Sequence, residues 1–280
     1  MLTSIRVECA KGVSMKLSGI KQGAPSWVEL STSDEEGALK FYTEIFGWKD
    51  DPQPLPAEVG GGAYHMAQID GDYVAGLSKQ QPDEAQQNIP PHWNIYLAVD
   101  DVDAAVAKVE GAKGRVLMPS MDVLDSGRMA IVMDPTGAPI GLWQAKQHQG
   151  FGRYGEPGAV VWVELMTEDP EPAGKFFEQV LGVNVEKMPS DSGQPYWLLK
   201  AGGEANESSG LMKKTPEMAG MPNTWGVYFE VPDVDAMIDR AKKLGGDVVA
   251  GPMDIPEGRF AMVRDPQGAV FGVMKSQQQN

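Results

Sequence analysis

The sequence predicts an α+β fold built from four βαβββ modules, and two observations predict it. The 280-residue chain repeats itself: the tetrapeptide WVEL at 27–30 returns at 162–165, and GRMAIVMDPTG from Gly127 returns as GRFAMVRDPQG from Gly258. Within each repeat, the order of one strand, one helix and several further strands occurs twice. The chain therefore consists of two homologous halves, each with two modules.

The first module begins with the extended run SWVELST, and a helix is predicted to start at Ser33, with Glu36 completing a capping box. The apolar residues of this helix fall on one face, and Gly47 supplies its left-handed end. The runs YHMAQID and YVAGLSK then alternate as strands do, between glycine-rich turns.

The second module starts with the strand WNIYLAV and continues into a helix capped at Asp101. Three more extended pieces follow, and the last contains GLWQ. The second half uses the same order. Its first helix is predicted to begin at Asp169 and Pro170 and to end at Gly182.

Composition shifts place the boundaries of the halves. Residues 1–22 lack either periodicity and are predicted to form a flexible arm, and the glycine-rich polar run at 146–157 separates the repeats. We expect the first domain at 23–147, with modules 25–80 and 92–145, and a linker at 148–156. The second domain is expected at 157–276, with modules 158–213 and 223–275.

The charge balance and the single cysteine exclude several classes of protein. A net charge of -15 repels nucleic acid and anionic membranes. Cys9 alone cannot form an intrachain disulfide or a multi-thiolate metal site. No apolar run reaches the length of a membrane span or a secretory signal, so we expect a cytoplasmic protein, with non-conventional export left open. Because the duplication can complete each sheet internally, a monomer or weak homodimer is expected.

The motifs resemble those of a known superfamily. FYTEIFGW after the first strand, VDDVDAAV after the fifth and DPTG before the last resemble the vicinal oxygen chelate superfamily of glyoxalases, bleomycin-resistance proteins and extradiol dioxygenases. The likeness spans residues 25–275 and is greatest to tandem two-domain actinobacterial glyoxalase-like proteins. It implies two glyoxalase/bleomycin-resistance-type domains with curved mixed sheets, each enclosing a pocket for a small-molecule ligand.

The resemblance also implies where a metal ion would be held. In metal-dependent members, four strands each contribute one ligand, typically His or Glu. The matching positions here hold no such side chain: they are Trp27, Gly76, Asn94 and Gly141 in the first half, and Trp162, Gly210, Gly226 and Gly272 in the second. We therefore expect neither a metal ion nor another cofactor.

Two glutamates are the best polar candidates for a site. Because strand residues alternate between faces, Glu29 shares the face of Trp27, and Glu164 that of Trp162. Burial would raise the pKa of such a carboxyl group, which suits a general base or an anchor for a ligand amine or hydroxyl. The alternative is a structural glutamate paired with a nearby donor.

Other residues could complete the site. His92 is a candidate base or shifted ligand, although a structural histidine is the alternative. Arg128 and Arg259 could clamp an anionic ligand, or pair with Glu29 or Asp134. The remaining candidates would bind a ligand by hydrogen bonds or by stacking: they are Asn94, Tyr96, Trp143 and, in the second half, Tyr228.

These features favour metal-independent binding or sequestration of a neutral or cationic, partly aromatic small molecule. The competing hypothesis is an enzyme, either a glyoxalase-like lyase or isomerase or a hydroxylase, with Glu29 as general base and His92 or Arg128 as its partner. The first half carries more polar chemistry than the second.

Overall fold

The computed structural model describes residues 20–57, 61–189, 195–201 and 208–277. Most of the predicted N-terminal arm, including Cys9, lies outside these residues. Gln22 is described: its side chain donates to the carbonyl of Leu181 over 2.7 Å and accepts from the amide of Asp100 over 3.1 Å. This part of the predicted arm is therefore tied to both halves of the chain.

The first half forms an eight-stranded sheet in the order β2-β3-β4-β1-β5-β8-β7-β6. The β1–β4 and β5–β8 pairs are parallel and the others antiparallel, so the sheet is mixed. Its elements are β1 (Pro25–Thr32), α1 (Glu35–Phe46), β2 (Lys49–Pro54), β3 (Ala63–Ile69), β4 (Asp72–Lys79), α2 (Pro82–Gln86), β5 (His92–Ala98), α3 (Val102–Val109), β6 (Arg115–Val123), β7 (Gly127–Met133) and β8 (Pro139–Ala145).

The second half repeats this arrangement in the order β10-β11-β12-β9-β13-β16-β15-β14. Both sheets are curved and open, which confirms the predicted α+β fold of two domains with curved mixed sheets. The elements are β9 (Val160–Thr167), α4 (Pro170–Leu181), β10 (Asn184–Met188), β11 (Tyr196–Lys200), β12 (Ser208–Lys213), β13 (Thr224–Glu230), α5 (Val234–Lys243), β14 (Asp247–Ile255), β15 (Gly258–Arg264) and β16 (Val270–Ser276).

The helix ends follow local capping chemistry. The cap of α1 is Asp34, one residue later than predicted from Ser33, because its carboxylate accepts from the amide of Gly37 over 3.1 Å. Asp101 caps α3 as predicted and accepts from the amide of Ala104 over 3.0 Å. Gly47 ends α1 with φ of 74°, a left-handed conformation that glycine adopts without strain.

The helix-bearing faces of the two sheets pack into one shared core. The ring of Phe229 lies 4.9 Å from that of Phe46 and 5.2 Å from that of Trp93. The hydroxyl of Tyr42 donates to Asp265 over 2.9 Å across the same junction. The opposite, concave faces of both sheets therefore point away from this core.

Residues of β1 separate these two environments. Val28 and Leu30 are fully buried on the core side, whereas Trp27 and Glu29 lie on the concave side. Among the described residues, no helix is long and apolar enough to cross a membrane.

Candidate functional site

A buried carboxylate lies at the centre of the first concave face. Glu29 stands beside Gly76 on β4 and Asn94 on β5. Tyr64 donates its hydroxyl to Glu29 Oε2 over 2.9 Å, and Tyr96 donates to Oε1 over 3.1 Å. Both carboxylate oxygens are thus held by phenol groups.

The indole of Trp27 extends this network, because its Nε1 donates to the hydroxyl of Tyr64 over 2.9 Å. The second half contains the same arrangement around Glu164, with donors at 2.6–3.0 Å. We call these groups the Glu–Tyr centres. The first comprises Trp27, Glu29, Tyr64 and Tyr96, and the second Trp162, Glu164, Tyr196 and Tyr228.

The tyrosines fill the space that metal-ligating side chains would need. A Cβ atom on Gly76 would overlap the hydroxyl of Tyr64, and one on Gly141 would overlap the ring of Tyr96. In the second half, Tyr196 and Tyr228 cover Gly210 and Gly272 in the same way. In the described part of the chain, no group of three or more His, Cys, Asp or Glu side chains is placed to hold a metal ion. The residues present therefore do not fit the family's metal centre.

The electrostatics of both centres follow from burial. Desolvation raises the pKa of Glu29 and of Glu164, and the tyrosine hydrogen bonds only partly oppose this effect. The four tyrosines have pKa values well above their usual range, also through burial, so they remain protonated donors. Each carboxyl group therefore holds a proton more readily than an exposed glutamate, and its ionised form accepts hydrogen bonds from the tyrosines.

The rim of the first face is polar. Ser31 donates to Glu84 Oε2 over 2.9 Å, and His92 Nε2 lies 3.7 Å from Glu84 Oε1. His92 Nδ1 lies 2.9 Å from the carbonyl of Pro90. Asn94 stands next to Glu29 on the neighbouring strand and is half-buried. The first face therefore presents amide, imidazole and carboxylate groups around its centre.

The rim of the second face is less polar. Met166 takes the place of Ser31, and Gly226 that of Asn94 beside Glu164. The methyl group of Met166 lies within 3.2 Å of where a Cβ of Gly226 would stand. Glu164 is 7% exposed, whereas Glu29 is half-buried. As a whole residue, Glu29 is thus more exposed than Glu164.

The predicted aromatic wall of the first face is covered by the chain itself. Trp27 and Trp143 are 4% and 7% exposed, and the ring of His148 packs against both, at 4.3 and 5.6 Å. Phe151 covers Trp27 from 5.7 Å. A groove of about 410 Å³ lies elsewhere, beside the first turn of α1, and no residue of the Glu–Tyr centres lines it.

Arg128 and Arg259 lie on the opposite face of their sheets. Arg128 lies on the same face of β7 as the buried Ala130 and Val132, and it forms ion pairs with Asp103 at 3.0 Å and Asp122 at 3.4 Å. The structure therefore does not bring it together with Glu29 or with Asp134.

Arg259 repeats this arrangement in the second half. It pairs with Asp235 at 2.9 Å and Asp254 at 3.0 Å. Both arginines thus tie a strand of the sheet to the first turn of the neighbouring helix.

Two members of the Glu–Tyr centres were not among the sequence candidates. Tyr64 and Tyr196 occupy matching places on β3 and β11. Their recurrence at corresponding positions of the two halves is the signal that would have identified them. No such recurrence identifies Ser31, Glu84 or His148. The matching positions of Ser31 and Glu84 hold other residue types, and His148 lies in the segment between the halves.

Comparison with known proteins adds independent information. The family model described as the glyoxalase/bleomycin resistance protein/dioxygenase superfamily matches residues 24–142 and 159–273. CFP32 of Mycobacterium tuberculosis, provisionally named a glyoxylase, is 48% identical over 261 residues, covering 93% of this chain and 97% of the relative. The anthracycline biosynthesis protein DauV of a Streptomyces species is 36% identical over 268 residues, covering 90% of this chain and 93% of the relative.

A solved structure shares the fold at low sequence identity. The Mn(II)-bound glyoxalase of Novosphingobium aromaticivorans superimposes with a TM-score of 0.62 at 20% identity, covering 92% of this chain and 83% of that protein.

Proposed function

Because the chain belongs to the glyoxalase/bleomycin resistance protein/dioxygenase superfamily, we propose that it binds a small molecule on a concave sheet face without a metal ion. The observation that carries this proposal is the pair of Glu–Tyr centres. In each half, tyrosine rings fill the space above the glycines from which ligating side chains would project. A hydrogen-bonding carboxylate thereby takes the central place on the face.

The chemistry of the first face favours a neutral or cationic, partly aromatic ligand. Glu29 is held by two phenol donors, and no lysine or arginine among the described residues forms an ion pair with it. A ligand hydroxyl or ammonium group would donate a further hydrogen bond to the Glu29 carboxylate. The net charge of -15 also attracts cations. The name of DauV, anthracycline biosynthesis protein, is consistent with a flat polycyclic aromatic ligand.

Metal analysis tests the first part of this proposal. The protein is incubated with Zn²⁺, Ni²⁺ or Mn²⁺, dialysed, and examined by elemental analysis. We expect no stoichiometric metal. One tightly held ion in each half would contradict metal-independent binding.

Calorimetric titration with three naphthalene probes tests the ligand chemistry. We expect 1-naphthylmethylamine and 1-naphthalenemethanol to bind and 1-naphthoic acid to bind more weakly, because Glu29 repels a carboxylate. Glu29→Gln should weaken binding of the amine more than binding of the alcohol, since it removes the negative charge but keeps a polar side chain. Glu164→Gln is the matched control: Glu164 lies in the second half and is only 7% exposed, so its replacement should leave the affinity unchanged. Equal binding of all three probes would contradict a role for the Glu29 carboxylate.

A second candidate function is enzymatic, with Glu29 as general base. The half-buried position of Glu29, its raised pKa and the nearby imidazole of His92 favour this alternative. It predicts that Glu29→Gln abolishes turnover of an α-oxo or phenolic substrate while the variant stays folded by circular dichroism. A binding protein would show altered affinity and no turnover to lose.

A further inference from the structure

We propose that Trp27, Tyr73 and Trp143 form a subsite for a flat aromatic ring of the ligand, and that the imidazole of His148 occupies this subsite until the ligand displaces it. We call these three residues the aromatic subsite. The inference rests on the proposed binding function and specifies which part of the ligand the first face recognises.

The geometry around His148 is that of a ring held by rings. Its centroid lies 4.3 Å from Trp27 at an interplanar angle of 84°, and 5.6 Å from Trp143 at 66°. Tyr73 lies 6.5 Å away at 73°. All three contacts are edge-to-face, the arrangement that aromatic pairs favour. The surroundings therefore suit a planar aromatic group.

The imidazole itself is a poor match for this environment. His148 Nε2 is buried and has no hydrogen-bond partner among the described residues. Burying an unpaired polar atom opposes the stacking energy. An aromatic ring without such an atom would keep the stacking and avoid this cost. A ligand ring can therefore compete with the side chain of His148.

The backbone around His148 does not need to move for this exchange. Its amide donates to the carbonyl of Ser126 over 2.9 Å, and its carbonyl accepts from Trp143 Nε1 over 3.1 Å. These bonds hold the segment, whereas the ring is held by its edge-to-face contacts with the neighbouring rings. The side chain is half-buried, so rotation towards solvent is open to it.

The subsite adjoins the first Glu–Tyr centre through one residue. The ring of Trp27 contacts His148, and its Nε1 donates to Tyr64, which donates to Glu29. A ring in the subsite would thus contact Trp27, which is linked through Tyr64 to the Glu29 carboxylate. The ligand class that fits both parts is a flat aromatic molecule that carries an amine or a hydroxyl group.

The second half does not reproduce this subsite. Met274 takes the place of Trp143 on β16. Trp162, the counterpart of Trp27, is half-exposed, in contrast to the 4% exposure of Trp27. The aromatic subsite therefore belongs to the first half.

Nuclear magnetic resonance of the histidine ring protons tests the displacement directly, because the chain has three histidines. In the full-length protein without probe, we expect the ring protons of His148 to be shifted upfield by Trp27, and His148→Ala identifies these signals by removing them. Adding 1-naphthalenemethanol should return them towards the position of an exposed histidine. The signals of His65, which pairs with Asp50 on the other side of the sheet, should not move.

Variants test the same inference through affinity. His148→Ala removes the competing ring and should tighten binding of 1-naphthalenemethanol by up to about tenfold, the scale of one aromatic pair. Trp143→Met copies the second half and should weaken binding. His65→Ala is the control histidine and should have no effect.

The outcomes separate this inference from the proposed function. If the probe binds to the wild type while the His148 signals stay in place, the aromatic subsite is wrong and small-molecule binding stands. If the probe binds neither the wild type nor His148→Ala, small-molecule binding of this class fails together with the inference.

Discussion

Glu164 carries a pH dependence that its environment determines. Burial raises its pKa above the ordinary value of 4.5, so the folded protein holds this proton more tightly than the unfolded chain. Its contribution to stability is therefore complete below about pH 4.5 and is lost as the pH rises through the raised pKa of the folded state. At neutral pH the fold tolerates the ionised group at a cost.

Replacing Glu164 with glutamine should reveal the free-energy cost of burying its ionised carboxylate. We expect the free energy of unfolding of Glu164→Gln, relative to wild type, to increase as the pH is raised from 4.5 towards neutrality. Each pH unit within the window is worth about 1.4 kcal/mol. Urea denaturation at a series of pH values measures this difference.

Glu217→Gln provides the control for that series. Glu217 is an exposed glutamate of the same half whose pKa is lowered by hydrogen bonding with Thr215, so its stability change falls below pH 4.5 and its replacement should give a nearly flat difference across this series. A flat difference for Glu164→Gln would show that Glu164 ionises normally.

Part of the site at this scale could be predicted from the sequence. Strand alternation placed Glu29 beside Trp27 on the concave side, and the structure has them there. The same alternation, applied from Ala130, would have placed Arg128 on the core side of β7. The stacking of His148 had no sequence signal, because a connecting segment has no periodicity that fixes the direction of a side chain.

Four glycines of the sheets lie under tyrosine rings that leave no space for a Cβ atom. A Cβ on Gly76 would overlap Tyr64, so we expect Gly76→Ala to destabilise the protein by about 1–3 kcal/mol, as overpacking of a core does. In a Tyr64→Ala background the same change should cost much less. A double-mutant cycle by urea denaturation measures the coupling between the two positions. Additive effects would show that the ring moves aside freely.

The first helices of the two halves differ by one hydroxyl group. In α1, Tyr42 donates to Asp265 over 2.9 Å and accepts from Trp93 Nε1 over 3.2 Å. Phe177 takes this place in α4, and its ring meets Trp225 in the same edge-to-face geometry. Two buried atoms consequently have no hydrogen-bond partner among the described residues, Asp134 Oδ2 and Trp225 Nε1.

Phe177→Tyr should satisfy both atoms at once. We expect the free energy of unfolding to rise by about 1–3 kcal/mol, the net value of two hydrogen bonds. Tyr42→Phe is the reciprocal change and should lower the free energy by a similar amount, because it removes the hydrogen-bond partner of Asp265 Oδ2 and of Trp93 Nε1. Thermal and urea denaturation of both variants measure these changes. Destabilisation by Phe177→Tyr would mean that α4 has no room for the hydroxyl.

The elements themselves were mostly predictable, with one instructive exception. The βαβββ module predicted three strands after α1, but the pattern located only two of them, because β2 contains two prolines and two aspartates that are atypical of strands. β2 is the edge of its sheet, where a missing amide donor is tolerated. Pattern analysis cannot recognise such an edge until the neighbouring strand is known.

At the scale of the whole molecule, the two halves depend on each other. Phe229 of the second half packs against Phe46, Trp48 and Trp93 of the first. We expect a single cooperative unfolding transition, with calorimetric and van't Hoff enthalpies that agree. Phe229→Ala should lower the free energy of unfolding by about 3–5 kcal/mol and lower the Tm without splitting the transition. Differential scanning calorimetry distinguishes this result from two separate transitions.

The duplication was the most informative feature of the sequence for the fold. Repeated blocks predicted two halves of equivalent architecture, and the two sheets have the same strand order. The way the halves pack was not predictable, since the sequence identifies Phe46 as an apolar residue of a helix and Phe229 as one of a strand, without indicating their partners. Phe46 and Phe229 lie far apart in the chain, and only the packing of the two halves brings them into contact.

The contacts between the two halves also determine whether the halves separate after proteolytic cleavage between them. Lys146 lies in the exposed start of the segment between the halves, with its side chain 46% exposed. Trypsin cleavage there would sever the covalent connection but leave Trp48 donating to the carbonyl of Gly158 over 2.8 Å and the aromatic contacts intact. The nicked molecule would still sediment as one particle, and its two fragments would separate only in denaturant.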